Sequence, residues 1–237
     1  MKIRGDRECK DCGTRWSYYE TASVACPDCG SLRSVGVDDR TRHTNAPATF
    51  DLTPVRSRID EVPLRSVAED AAERSAEYVR KRGFVDAGEL LVLDETFVAA
   101  TVLRHVGGTI ARGLRTSDGD ELYFLELLRG ADDGDRPPAD EVPKSLRAPH
   151  GLAIADAVAA YQRDVREYLA DAPDEQAGTL SGRIRDHRKR IEALDGDVAP
   201  NDAERLLRAT RDLGKYLQRD DESALVTADN WLNGIDG

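Results

Sequence analysis

Two apolar stripes late in the chain run at helical spacing. Leu180, Ile184, His187, Ile191 and Leu194 recur with steps of four, three, four and three, and Ala203, Leu206, Thr210, Leu213 and Leu217 with steps of three, four, three and four. Stripes of this period place one side of each helix in a core. Residues 195–200 alone separate them, and Asn201 with Glu204 makes a capping signature, so an antiparallel helical hairpin is expected.

The same period runs upstream. Ser66 and Glu69 form a capping-box signature ahead of Val67, Ala71, Ala72, Ala76 and Val79, and Gly83 stops that helix. Asp86 and Glu89 open a second, strongly apolar helix through Leu90, Phe97, Val102 and Val106, with an interruption at Gly107 and Gly108 and a continuation from Thr109 to Leu114. Residues 121–128 read as a short helix or an edge strand, and Ile154, Val158, Tyr161, Val165 and Tyr168 define a long amphipathic helix. Residues 223–232 close the pattern as a short docked helix. Between these elements, the stretch 130–148 is acidic and proline-containing and reads as a solvated loop.

The first 45 residues differ in kind. Arg15-Trp16-Ser17-Tyr18-Tyr19-Glu20 alternates rings with polar residues as a strand does, and Ser23-Val24-Ala25 and residues 31–37 supply further extended pieces. Proline, threonine and aspartate then fill a stretch that reads as a linker. The expected organisation is a small β ribbon at 1–45, a linker at 46–64 and a helical domain of five to seven helices at 65–237: a mainly α chain with a small N-terminal β ribbon.

The ribbon carries the clearest chemistry. Cys9-Lys10-Asp11-Cys12-Gly13 and Cys26-Pro27-Asp28-Cys29-Gly30 are two Cys-x-x-Cys pairs, thirteen residues apart, and they use every cysteine in the chain. Two residues between thiolates turn both sulfurs toward one ion, and the following glycine frees the backbone for that turn. A closed tetrathiolate site results, structural because it keeps no position for water. Zinc suits it. A single iron is the rival, since rubredoxin-like modules use the same paired knuckles. The helical partners of such iron modules carry Glu-x-x-His pairs, and here the residues three before His43, His105, His150 and His187 are Arg40, Val102, Arg147 and Ile184.

Charge changes the picture of partners. The chain has 45 acidic and 34 basic residues, net charge -11, with 28 arginines to 6 lysines and 29 aspartates. Dense carboxylates of this kind suit a cytosol of high salt, although a GC-rich genome also favours Arg, Ala and Asp. Residues 1–45 are nearly neutral, with eight bases and seven acids. That makes Arg15, Arg33, Arg40 and Arg42, with Trp16 and Tyr18, candidates for phosphate contacts and base stacking. Their plainer roles are rings packed over the knuckles and ordinary surface charge. Arg183, Arg185, Arg188, Lys189 and Arg190 form the strongest basic cluster, beside an apolar stripe, and read as a solvated face.

With Cys-Pro-Asp-Cys-Gly as its second knuckle, the ribbon resembles the zinc ribbon of transcription factor IIB. The acidic, arginine-rich setting resembles a family of uncharacterised haloarchaeal proteins carrying that ribbon. The resemblance is confined to the ribbon and the composition, and two matched cyclin-like repeats are lacking. It implies one structural zinc and a binding surface in a transcription-associated context.

No phosphate-cradling loop, dinucleotide fingerprint or nucleophile elbow occurs, and Asp132-Asp133 and Asp220-Asp221 fall in loop-like segments. The expectation is a non-enzymatic binding or regulatory protein with a protein partner. A nucleic-acid-binding protein is the alternative and an iron electron carrier a further one. No apolar leader opens the chain and no stretch approaches the length of a membrane span, so a cytoplasmic location is expected.

Overall fold

The computed structural model describes residues 1–113 and 116–235. The N-terminal unit is built from five short strands: β1 (Lys2–Ile3), β2 (Asp6–Cys9), β3 (Arg15–Ser17), β4 (Ser34–Gly36) and β5 (Thr41–Arg42), with a single helical turn, α1 (Tyr18–Thr21), after β3. β2 is the centre of an antiparallel sheet in the order β3-β2-β4, and Arg7 faces Trp16 on one side and Gly36 on the other. β1 pairs with β5 through Lys2 opposite Arg42.

The rest is helical: α2 (Thr53–Arg56), α3 (Leu64–Lys81), a hairpin of β6 (Val85–Asp86) and β7 (Glu89–Leu90), then α4 (Glu95–Arg112), α5 (Asp118–Gly130), α6 (Arg147–Leu169), α7 (Glu175–Ala193), α8 (Pro200–Arg219) and α9 (Glu222–Asn233). The mainly α architecture with a small β ribbon is as the pattern predicts. So is the α7–α8 hairpin, with Leu180, Ile184 and Ile191 buried against Ala203, Leu206, Thr210 and Leu213. His187, on the same stripe, remains half-buried at its edge. Among the described residues no helix is long and apolar enough to cross a membrane.

Several local expectations give way to packing. The helix expected from Asp86 is the β6–β7 hairpin instead, and α4 starts only at Glu95, capped by Asp94, which accepts from the Phe97 N–H at 2.7 Å. Gly107 and Gly108 do not interrupt α4. A β-carbon at Gly107 would stand 2.9 Å from the Ala68 carbonyl oxygen of α3, so the glycine lets two helices approach closely. Leu114, the end of the expected continuation, lies outside the described residues. α3 begins at Leu64, after Pro63, without the Ser66–Glu69 box.

The stretch 46–64, expected as a linker, is packed against the helices. Leu52 and Val55 are fully buried, and Phe50 stacks on Tyr78 with ring centroids 4.9 Å apart. The acidic stretch 130–148 is ordered as well. It forms three short 3-10 turns, and the half-buried Asp132 accepts from Arg56 at 2.6 Å and from the Leu52 N–H at 3.0 Å.

At the centre, Phe84 from the β6 approach meets Phe97 of α4 and Tyr161 of α6 edge-on, at 4.8 and 5.0 Å, and the Tyr161 hydroxyl donates to the Leu91 carbonyl at 3.1 Å. The ribbon is wired into this core. Asp164 of α6, almost fully buried, accepts from the Phe84 N–H at 2.7 Å and from the Thr44 hydroxyl at 2.8 Å, while the Thr44 N–H donates to the Val85 carbonyl at 2.9 Å. A buried carboxylate needs such donors, and here they come from both sides of the junction.

Candidate metal centre

Each cysteine pair closes the same turn. In the first, the Cys9 N–H donates to the Thr14 carbonyl at 2.9 Å and the Gly13 N–H to the Cys9 carbonyl at 3.1 Å; in the second, the Cys26 N–H donates to Ser31 and the Gly30 N–H to Cys26, both at 2.9 Å. Gly13 and Gly30 sit at φ of 80° and 72°. A side chain there would meet nothing within 4 Å, so the requirement for glycine is conformational rather than spatial.

Strand β2 delivers Cys9 and the loop before β4 delivers Cys29, and the four sulfurs lie within 4.8 Å of one another. Cys9 Sγ is 3.6 Å from Cys29 Sγ, and Cys12 Sγ is 3.5 Å from Cys26 Sγ. A disulfide would bring sulfurs to about 2.05 Å. Four thiolates about 2.3 Å from one ion stand roughly 3.8 Å apart, which this cluster fits. Cys9 and Cys26 are buried and Cys12 and Cys29 exposed, so the site is at the tip of the ribbon with one side toward solvent.

Thiols this close cannot all ionise without a cation. Backbone N–H groups of Cys29 and Asp28 hold Cys26 below the ordinary thiol range. At Cys29 the Ser31 N–H pulls the same way, but the sulfur of Cys12, burial and the remaining sulfurs outweigh it and push the thiol up to about 12. A bound metal ion resolves that conflict by charge, and Cys9, Cys12, Cys26 and Cys29 are the residues that can hold one.

The six candidate contact residues separate into four places. Arg33 belongs to the metal tip, where its guanidinium donates to Asp11 at 2.6 Å and ties the second knuckle to the first. Arg15 and Trp16 point to opposite sides of β3: Arg15 holds Glu8 at 2.8 and 3.0 Å and keeps that carboxyl below its usual range, while the half-buried Trp16 indole donates to the Ser23 carbonyl at 3.0 Å. Arg42 is turned away from the ribbon surface toward Glu167 and Asp171 of the helical body.

Tyr18 and Arg40 are brought together. They line a groove of about 400 Å³ with Lys2, Arg4 and Arg7, none of which the sequence pattern singles out. Arg4 donates to the Asp38 carbonyl and Arg7 to the Ser34 hydroxyl at 2.9 Å, Lys2 pairs with Asp171 at 2.9 Å, and Arg40 has no side-chain partner among the described residues. Arg4 lies between β1 and β2 and Arg7 within β2, and their spacing gives no local signal of a shared groove.

A family of unknown function, DUF7117, matches residues 1–232. The chain belongs to that family. The match runs through ribbon and helices alike, in keeping with a junction built from Arg42, Thr44 and Asp164 rather than a free tether. No curated protein and no solved structure matches the chain.

Proposed function

We propose that this member of DUF7117 is a non-enzymatic zinc-ribbon protein whose ribbon holds one structural zinc ion and presents a surface to a protein partner. The tetrathiolate donor set suits either ion, and the lack of Glu-x-x-His pairs favours zinc over iron. The observation that carries the protein-contact reading is where apolar surface is left uncovered. Of nine large hydrophobic residues exposed among the described residues, five (Met1, Val24, Leu32, Val35 and Val37) belong to the ribbon, with Leu32 73 % exposed next to the second knuckle. A small module that leaves this share of the exposed apolar side chains in water is suited to docking. A regulatory, transcription-associated setting follows from the ribbon resemblance.

Metal analysis tests the first part: one zinc per chain and no visible absorbance is expected, and a red iron-loaded protein would overturn it. For the second, intact protein and the Leu32→Lys/Val35→Lys variant are each used to capture partners from a native high-salt lysate. Loss of the same partner from the variant alone is expected, and identical capture would overturn the assignment of the surface.

The groove of Tyr18, Arg4, Arg7 and Arg40 favours a second reading, nucleic-acid binding through the ribbon. Titration with single-stranded DNA and RNA in molar potassium chloride separates the two. Tight binding that disappears in Arg40→Glu would replace the protein-contact reading.

A further inference from the structure

Helices α6 and α7 enclose a groove of about 440 Å³ on the side of the body formed by the second half of α6 and the first half of α7. Four arginines line it, Arg163 and Arg166 from α6 and Arg185 and Arg188 from α7, and no acidic residue does. In a chain of net charge -11 this local reversal is notable because the fold, not composition, assembles it.

Three of these arginines have one carboxylate each within 4 Å, and Arg166 has none among the described residues. Arg166 is exposed and has no side-chain partner among the described residues. The carboxylates nearest Arg163 and Arg185 are those of the next residues, Asp164 at 3.8 Å and Asp186 at 3.6 Å, both beyond hydrogen-bond reach, and the other oxygen of Asp164 accepts from Phe84 and Thr44. Arg188 alone is hydrogen-bonded, to Glu192 and to Gln162 Oε1 at 3.3 Å, and Gln162 in turn donates to the Ser181 carbonyl at 2.8 Å, which ties α6 to α7 across the groove.

That floor is also cut away. Gly178 and Gly182 lie one turn apart on α7 and line the groove; a β-carbon at Gly178 would meet nothing within 4 Å, and at Gly182 only the tip of Arg185 at 3.9 Å. Neither glycine is there to let helices touch. Helix-disfavouring residues with open space above them leave room between the arginines.

We propose that this groove binds a compact oligophosphate, a small solute carrying two or more linked phosphate groups. Guanidinium groups match phosphate oxygens in bidentate pairs, and several phosphates are needed to offset four cations. The volume is that of a small-molecule site, within the usual range of about 300–1,000 Å³. A long polyanion is disfavoured by what lies beyond: Asp171, Asp174 and Glu175 occupy the turn at one end and Glu192 the other. The site is independent of the ribbon and of any metal.

Titration calorimetry on the full chain, at low ionic strength, uses inorganic tripolyphosphate, ATP and a single-stranded oligonucleotide of about thirty nucleotides as probes. Tripolyphosphate should bind at one site per chain. ATP binding comparably would point to the phosphate chain as the recognised group, and ATP binding more than tenfold tighter would show a nucleotide as the source of it. Arg166→Gln/Arg185→Gln, both at exposed positions, should weaken tripolyphosphate at least tenfold, whereas Arg74→Gln/Arg80→Gln on α3 should change it less than twofold. Gly178→Glu keeps all four arginines and favours the helix, so it should melt no lower than the natural chain and still lose tripolyphosphate tenfold or more. No binding, equal weakening in both double variants, or an unaffected Gly178→Glu would overturn the proposal. So would an oligonucleotide that binds through Arg166 and Arg185 more tightly than tripolyphosphate.

Discussion

Arg42 grips Asp171 with two guanidinium nitrogens, Nε to Oδ2 at 2.9 Å and Nη2 to Oδ1 at 3.2 Å, and so fastens the last strand of the ribbon to the turn after α6. Lys2, paired with Arg42 across the β1–β5 ladder, reaches the same carboxylate at 2.9 Å. A planar fork on a carboxylate fixes orientation as well as distance. Ribbon and helices are thereby held in one register.

Arg42→Gln should loosen that register without unfolding either part. Hydrogen bonds from Arg42 and then Lys2 hold the Asp171 carboxyl well below the usual range, so the clamp is charged at neutral and mildly acidic pH and is lost only in strong acid. Amide exchange of residues 41–45 should quicken in the variant while helical circular dichroism stays the same. Unchanged exchange would mean that Thr44 and Asp164 carry the junction alone.

Glu204 of α8 is buried beside Arg136, which donates to Oε2 at 2.7 Å, and His150 Nε2 stands 3.6 Å away, beyond hydrogen-bond reach. Burial would raise this carboxyl; the neighbouring His150 and the Arg136 hydrogen bonds and charge overcome it and bring it from the ordinary 4.5 down to about 2. A depressed carboxyl stabilises the fold above its unfolded value and loses that contribution as pH falls through the folded one. The contribution, on the order of 3 kcal/mol, is complete above about pH 5 and fades toward pH 2. Urea midpoints measured across that window should fall for the natural chain. Glu204→Gln leaves the largely buried Arg136 with only the more distant Glu95, at 3.9 Å, and should cost roughly 3 kcal/mol at pH 7, with a flatter acid limb.

Removing the metal, by chelation or by Cys26→Ser, should unfold the ribbon and leave the helices, because metal affinity supplies the folding energy of a module this small. The ribbon contains one helical turn, Tyr18–Thr21, so the helical signal should scarcely change. Trp16, whose indole is tied to the Ser23 carbonyl, should report the loss through a red-shifted emission. A collapse of helical circular dichroism would show that α6 depends on the ribbon through Asp164.

Gly107 and Gly178 should respond to alanine with opposite signs. At Gly178 the new methyl enters open space, and the gain is the helix-propensity difference of about 1 kcal/mol. At Gly107 it would stand 2.9 Å from a backbone oxygen of α3, and overpacking of about 1–3 kcal/mol exceeds the same gain. Thermal melting of both variants checks the pair; a stabilised Gly107→Ala would show that α3 and α4 can part freely.

The metal knuckles and the helical stripes were legible along the chain because their causes are local: two residues between thiolates, a glycine at positive φ, and apolar positions three and four apart. Glu204 shows where locality ends. It reads as a capping partner of Asn201, yet α8 starts with Pro200 after Ala199, and Arg136, far away in sequence, claims the carboxylate. The stretch 46–64 looks like a linker by composition, but Leu52 and Val55 find a core whose existence its own residues do not announce. Arg185 and Arg188 read as a solvated helix face, while only the antiparallel return of α7 along α6 sets them opposite Arg163 and Arg166. By itself, then, the sequence determined a metal-holding ribbon and a set of amphipathic helices. Which charges are buried, which arginines converge and how the ribbon is held were decided by tertiary structure, because burial and Coulomb energy depend on distances in space.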